Sequence, residues 1–574
     1  MRDRLILGAA IGDCVHVAGV VNFLRLAEEV GFQTVMLGPA VPVADLMAAI
    51  DQYDPRVVAV GYRLTPEAAR GVLAELKAAL AARGEVDPAT GLGRRVWLFG
   101  GTGPTAAVAR EAGLFHHVFE SADGPREALA CLRRLAGGEG EETDRAEGIP
   151  PQTLVERILW KAPYPLLRHH YGRPTVAETV AGVVEIARSG VLDVISLGTD
   201  QNAQEHFFRP EEMDPSQDGA GGVPVRTRED LEQIYAHSRL GNYPLMRCYS
   251  GTRDRLMWAP LLLETIRNAW LATPLFWYSQ LDNRSRVPLR ESIPEAQQVM
   301  AWHAERGIPV EMNESHHWSL RDAPDVVAVV AAYLAAYNAR AAGVRDYVQQ
   351  LMFNNPPGTS PTMDLAKMLA KLELVESLAG PDFRVWRETR GGLTSFPADL
   401  DVARGHLAAT TYLQMQLRPH IVHVVAAVEA HHAATHEDVI ENCKIADGAI
   451  RQALLGMPDM TRDPAVQERK RQLLEEARVL LAAIRRIAPP GTPDPYTDPE
   501  TLARAVEIGL LDAPHLRGNP AACGRVVTRM VDGACVAVDP ATGRPLREEE
   551  RVGRILREHG YPPVADSTPV EVGV

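Results

Sequence analysis

The chain reads as an α/β protein with two successive parallel sheets, and three observations carry that reading. Short β-branched segments alternate with amphipathic stretches over residues 1–136, and strand-like segments recur with helices between them over roughly 160–440. The polar, acidic, Gly- and Pro-rich run 137–151 separates the two regions. Such alternation predicts parallel strands covered by helices. The expected architecture is a doubly wound, flavodoxin-like domain (1–136), a linker (137–151), a (β/α)8 TIM barrel (152–488) and a C-terminal extension (489–574).

Each element has its own signal. The first region offers strands at Leu5 to Ala9, Thr34 to Leu37, Val57 to Val60, Val96 to Phe99 and His117 to Phe119. The linker is placed by composition, because Gly, Pro and like charges oppose a packed core. Beyond it the strand-like runs are Val191 to Leu197, Pro244 to Arg247, Pro274 to Tyr278, Ile308 to Met312 and His420 to Val425. That recurrence over roughly 280 residues suits a (β/α)8 barrel. Helix-rich sequence from about 436 to 488 ends at Pro489-Pro490-Gly491-Thr492-Pro493, and a small closing segment follows.

Composition narrows the function classes. At 574 residues and 46% apolar the chain is long enough for two or three domains with sizeable cores. A net charge of -14 argues against a nucleic-acid partner, which needs a basic surface. Cys14, Cys131, Cys248, Cys443, Cys523 and Cys535 form no CxxC pair, so a reducing, cytoplasmic home is expected. No apolar run reaches the roughly 18 residues of a membrane span, and Met1 to Arg4 lead straight into a strand without a leader. A small-molecule enzyme is the better expectation.

The most informative stretch is Gly12-Asp13-Cys14-Val15-His16-Val17-Ala18-Gly19, between the first strand and the first helix. In a doubly wound sheet this loop lies at the carboxyl ends of the strands, where ligands bind. A neutral imidazole there is a good cobalt ligand. Gly100 and Gly101, ending the fourth strand, lack the side chains that would block a bulky ligand tail. Together they point to a cobalt corrinoid held through His16, against the plainer reading of His16 as a capping histidine.

Ala10 to Gly19, the following helix and Phe99-Gly100-Gly101 resemble the cobalamin-binding small subunit of glutamate mutase (methylaspartate mutase). The family motif is Asp-x-His-x-x-Gly; His16 and Gly19 match it, whereas Cys14 stands at the aspartate position and Asp13 lies one residue earlier. The family's Ser-x-Leu pair after the third strand is replaced by Gly61 and Arg63. The remainder resembles the large barrel subunit, through Asp200-Gln201-Asn202, Arg247 to Asp254, Gly391 to Pro397, Glu429-Ala430 and Gly509 to Pro514. Both subunits look fused, cobalamin domain first.

The resemblance implies adenosylcobalamin, radical chemistry and a 1,2 rearrangement of a small carboxylic or amino acid, that is, an isomerase of the carbon-skeleton mutase type. It implies His16 as cobalt ligand, with Asp13, Gly19, Gly100, Gly101 and Glu429 around the cofactor. Arg247 would grip the substrate carboxylate, with Arg173 or, alternatively, Arg168, and with Gln201 and Asn202 beside it. The family's catalytic glutamate falls near Leu275 and its lysine at Val425, so the pocket is expected to be rebuilt. His169, His170, Tyr171, Gln204, Glu205, His206, Trp277, Tyr278, Glu314, His316, His317 and Trp318 all follow expected strands and are candidate pocket residues. Among them His316-His317, or Glu205-His206 with His169, is the weaker alternative of a metal site. A pyridoxal-phosphate aminomutase is disfavoured, because the first domain's lysine, Lys77, is not on a ligand-edge loop. A corrinoid methyl carrier and a cobalamin sensor are the other rivals. A homodimer, with no membrane partner, is the expected assembly.

Overall fold

The computed structural model describes residues 4–85, 95–120, 125–136, 149–249 and 251–562; most of the expected linker, 137–148, lies outside them. The chain divides into two compact units, Met1–Ala146 and Glu147–Val574.

In the first unit five strands, β1 (Leu5–Ala10), β2 (Gln33–Met36), β3 (Val57–Tyr62), β4 (Val96–Gly101) and β5 (His117–Glu120), form one sheet in the order β2-β1-β3-β4-β5. All neighbours are parallel. Helices 18–29, 43–53, 66–82 and 103–112 carry the crossovers. Local chemistry starts the third of these: Thr65 Oγ1 accepts from Ala68 N at 3.2 Å and Pro66 opens the first turn. β1 and β3 are buried on both faces, which explains their continuous apolar runs. The register aligns Ala10 with Gly61 and Gly61 with Gly100, so the loops after β1, β3 and β4 share one edge. The chain leaves β1 toward β2 on one side and toward β3 on the other, which opens a crevice at that edge.

The second unit is a mixed α/β fold around an eight-stranded parallel, nearly closed barrel. Its strands are β6 (Leu166–Tyr171), β7 (Val194–Leu197), β8 (Leu245–Cys248), β9 (Leu271–Thr273), β10 (Val310–Met312), β11 (Asp346–Phe353), β12 (Arg384–Gly391) and β13 (Ile421–His423). The order runs in sequence around the ring, with β13 pairing β6. β8 and β9 make no ladder; Ala269 N donates to Met246 O at 2.9 Å and the Asn268 amide bridges Cys248 N and Trp270 O. A helix, Leu154–Lys161, sits at the amino-terminal end, where Leu154 and Ile158 join Leu166, Val194, Leu245, Val348 and Ile421 in one apolar cluster. The enclosed Arg157 guanidinium ties that helix to the carbonyls of Pro151 and Tyr243.

The C-terminal stretch packs on the outer layer. Leu502, Leu510 and Leu556 share a cluster with Val329 and Leu480, and a short antiparallel hairpin, β14 (Thr528–Val531) with β15 (Ala534–Ala537), lies beside helix 325–341. No described helix is long and apolar enough to cross a membrane.

One expected strand is corrected. Pro274 to Tyr278 is a buried loop, and the strand is Leu271–Thr273 before it. Pro274 has no N–H for a ladder, and the N–H groups of Leu275 and Phe276 are taken by the Glu314 carboxylate. The run is apolar because it is covered, and it carries no ladder.

Truncating the floor tests this packing. Ile158 is 4% exposed within the plug. Ile158→Ala should therefore cost about 2–5 kcal/mol in urea unfolding, with an unchanged m value, as expected for a cavity left at a rigid strand end.

Candidate active site

In the first unit the loop after β1 is pulled into the sheet and then turned out. Gly12 N donates to Val41 O at 2.8 Å, and Cys14 is fully buried with Arg63 N donating to its Sγ at 3.3 Å. Two residues further on His16 is exposed, its Nδ1 3.9 Å from Cys14 Sγ. Asp13 turns elsewhere and accepts from the Tyr62 hydroxyl at 2.8 Å. Burial first, and then the Asp13 carboxylate, push that phenol up to about 12. The aspartate is thus engaged by β3, and the atom beside the imidazole is sulfur.

The glycines along this edge fall into two groups. A Cβ on Gly61 would meet Val20 Cγ2 at 2.7 Å, and one on Gly101 would meet Thr105 Oγ1 at 2.4 Å, so packing within the unit accounts for both. A Cβ on Gly19 or Gly100 would meet nothing within 4 Å. Gly19 lies in the first turn of helix 18–29 and Gly100 pairs with Gly61. Open space therefore stands over the sheet edge beside an exposed histidine, a donor set and a cradle that fit a corrinoid with an imidazole ligand.

In the second unit the barrel interior is charged. The Arg168 guanidinium from β6 reaches Ser196 on β7, Glu311 on β10 and Glu388 on β12, all wholly enclosed. Arg247 from β8 donates to Glu311 at 2.8 Å, and Trp270 Nε1 donates to the same oxygen at 2.7 Å. Gln350 on β11 donates to both carboxylates. Burial raises the protonation tendency of both acids; Arg168 and Arg247 overcome it at Glu311, which lies below the usual carboxylate range, whereas Glu388 stays above it.

A ring of aromatic and histidine side chains lies above this layer. Tyr249 OH and His170 Nε2 are 2.9 Å apart, the two rings stack, and His423 meets His170 edge-on. From the far side, Asn313 donates to Tyr278 OH at 3.4 Å, and His317 lies against Tyr278 and Trp277. Burial, together with the surrounding arginines, holds His170, His316, His317 and His423 well below the usual imidazole range, so these rings are neutral at pH 7. Asn313 Oδ1, His316 Nδ1 and His317 Nε2 are buried without a partner. Unmet polar atoms converging at the carboxyl ends of barrel strands mark a ligand pocket.

The expected site residues are placed as follows. Arg247 is fully enclosed and paired with Glu311 beneath the ring; Nε and Nη1 are its unpaired donors. Glu429 is exposed on the loop after β13. Arg173 donates to the carbonyls of Ala433 and Ala434, which ties the loops after β6 and β13 together. Gln201 opens the short helix 201–206, and Asn202 pins the 214–218 loop through Asp214 O and Asp218. Asp200 holds that same loop through Gly219 N and a two-pronged pair with Arg226. His169 and Tyr171 are buried on the outward face of β6, and His206 lies near Glu212. Glu314 accepts from Leu275 N, Phe276 N and Trp318 Nε1, which makes it a loop clamp. Among the described residues no group of three or more His, Cys, Asp or Glu side chains could hold a metal ion. Arg390 was not singled out by sequence, because the polarity of β12 masks its strand signal; Tyr249 stood only within the Arg247 to Asp254 resemblance, and His423, expected with the stretch to His436 to be helix or loop surface, is instead buried on β13.

No protein-family model and no curated protein matches the chain. Among solved structures, it is similar to a novel cobalamin-binding protein from Desulfitobacterium hafniense DCB-2, with 22% identity and a TM-score of 0.20, over 24% of this chain and 60% of that one. It is also similar to apo OxsB, a cobalamin-dependent S-adenosylmethionine radical enzyme, with 9% identity and a TM-score of 0.16, over 85% of this chain and 68% of that one. This chain therefore spans about 60% of the length of the first. At TM-scores this low, the assignment of function rests on the chain's own residues.

The Glu314 clamp gives a pH test. Burial raises its carboxyl to about 7 against the hydrogen bonds from Phe276, Leu275, Trp318 and Trp277 that oppose the shift. A carboxyl that holds its proton more tightly when folded stabilises fully below its unfolded value of 4.5, and that contribution is lost as pH rises through about 7. Relative to Glu314→Gln, the parent should lose thermal stability steadily between those pH values, measured by calorimetry across the range.

Proposed function

We propose that the chain is a cobalamin-dependent radical enzyme, a carbon-skeleton mutase resembling glutamate mutase, with a flavodoxin-like cobalamin domain joined to a substrate-binding barrel. The single observation that carries the reading is the exposed His16 beside open space over Gly19 and Gly100, at the crevice edge of a parallel sheet. The motif spacing of His16 and Gly19 supports it.

His16 would hold cobalt through one ring nitrogen, its other nitrogen near Cys14 Sγ. Thiol sulfur is a weaker hydrogen-bond partner than carboxylate, so the imidazole would be a less basic ligand than one backed by aspartate. Gly19 and Gly100 leave room for the ligand tail. When bound as adenosylcobalamin, the group supplies a carbon-centred radical by cobalt–carbon homolysis.

The barrel's own residues supply the enclosure. Glu311 is committed to Arg168 and Arg247, and Glu388 is committed to Arg168 through Oε1. Tyr249 OH hydrogen-bonds His170 Nε2, and because Arg168 Nη2, which can only donate, faces the same nitrogen at 3.4 Å, Nε2 of the neutral ring is the acceptor. The aromatic ring of Tyr249, Tyr278 and Trp277 excludes water from a reactive intermediate.

The test is reconstitution. Wild-type protein given adenosylcobalamin should show a protein-bound absorbance spectrum, and its reduced cob(II) form a nitrogen-split EPR signal from an axial imidazole. His16→Ala should lose that splitting and bind the cofactor roughly tenfold or more weakly, the scale of a lost metal ligand contact. Failure of the wild type to bind cobalamin sinks the reading.

A further inference from the structure

We infer that Arg390 anchors the substrate, and that the substrate is a carboxylate carrying no ammonium group beside it. The inference rests on the barrel being the substrate site proposed above.

Arg390 points into the barrel from β12, two residues beyond the wholly enclosed Glu388, and keeps 6% exposure. Its Nε donates to Gly391 O at 3.3 Å. No carboxylate lies within ion-pair distance of its guanidinium among the described residues; the attractive groups around it are Tyr249, Glu388 and the exposed Glu429, and Arg168 repels it. Of the other enclosed arginines facing this layer, Arg168 and Arg247 have a counter-ion in Glu311, and Arg255 donates through Nη2 to the carbonyls of Trp277 and Tyr278, although Arg247 and Arg255 each keep two buried nitrogens without a partner. Buried charges are paired or coordinated, so one left without a counter-ion at the mouth of a pocket awaits an anion. A guanidinium fork matches a planar carboxylate.

The position of Arg390 is central. Its charge works against protonation of His170 on β6, His316 and His317 after β10, and His423 on β13. Arg390 is the cation common to all four, alongside Arg168 and Arg247 on one side and Arg284 and Arg321 on the other. An ammonium would enter that same repulsion and find the enclosed carboxylates engaged: Glu311 pairs with Arg168 and Arg247, Glu388 pairs with Arg168 through Oε1 and keeps only the buried Oε2 without a partner, and Glu314 is spent on two backbone N–H groups and an indole.

Thermal unfolding of the full chain, titrated with sodium butyrate, 2-aminobutyrate and inorganic phosphate at constant ionic strength, tests it. A ligand that binds only the folded state raises the midpoint by mass action. Butyrate should raise it at lower concentration than its amino counterpart. Arg390→Gln should weaken butyrate roughly tenfold to a hundredfold, the scale of a lost charged hydrogen bond, with Arg390→Lys in between. Unliganded Arg390→Gln should unfold no earlier than wild type, because it removes an uncompensated buried charge. Overturning results are an unchanged butyrate response in Arg390→Gln, 2-aminobutyrate binding as tightly as butyrate, a response to phosphate alone or to no anion, or early unfolding of unliganded Arg390→Gln. Adenosylcobalamin absorbance on the same samples separates the two proposals: butyrate binding without cobalamin binding leaves the anchor standing and removes the cofactor reading.

Discussion

The barrel depends on four enclosed charges. Arg168, Arg247, Glu311 and Glu388 come from β6, β8, β10 and β12, which are alternate strands of the ring. Side chains in one layer of a (β/α)8 barrel come from alternate strands, and that layer is ordinarily apolar. Here it is ionic, and its two positive and two negative groups balance. Such a layer adds little net stability over an apolar one, but losing one member strands a partner in a dry interior at about 3–5 kcal/mol. A register slip of one residue on any of the four strands would turn its charge outward. The quartet therefore specifies the alignment of the barrel more than it strengthens it.

The same layer decides what the mouth can do. Glu311 and Glu388 are neutralised from below, with Glu388 Oε2 alone left without a partner, and because Arg247 is paired, it is not the free cation that its place at a strand end promised. The unbalanced charge moves one step outward, to Arg390. Neutral imidazoles around it follow from burial together with that charge. Pairing in one layer and excess in the next are two aspects of a single arrangement.

Much of this was legible in the sequence. All five strands of the first unit were readable because strands buried on both faces are apolar throughout, and the loop bearing His16 follows directly from β1. In the barrel, β6, β11 and β12 escaped notice for the reason that makes them informative: Arg168 and His170, Gln349 and Gln350, Arg387, Glu388 and Arg390 break the apolar pattern. A strand whose inward residues are ions has no hydrophobic period to read. Pro274 to Tyr278 erred in the opposite sense, an apolar run that is covered loop. Arg173 and Asn202 follow strands as expected, yet their donors are spent on neighbouring loops, which spacing alone does not reveal.

At the edge of the first sheet, the physical argument turns on the cost of glycine. In a helix it sacrifices about 1 kcal/mol relative to alanine, and in a strand it loses backbone entropy and side-chain packing. At Gly61 and Gly101 that cost is returned within the unit, since Val20 and Thr105 occupy the space a methyl group would need. At Gly19 and Gly100 nothing occupies it, and Gly100 does not adopt the left-handed backbone that would demand glycine. The penalty there has no internal return. Both positions border the loop whose buried Cys14 turns His16 toward solvent. A cradle the chain does not fill, beside an imidazole it does not pair with a carboxylate, is the place the proposed cofactor would take.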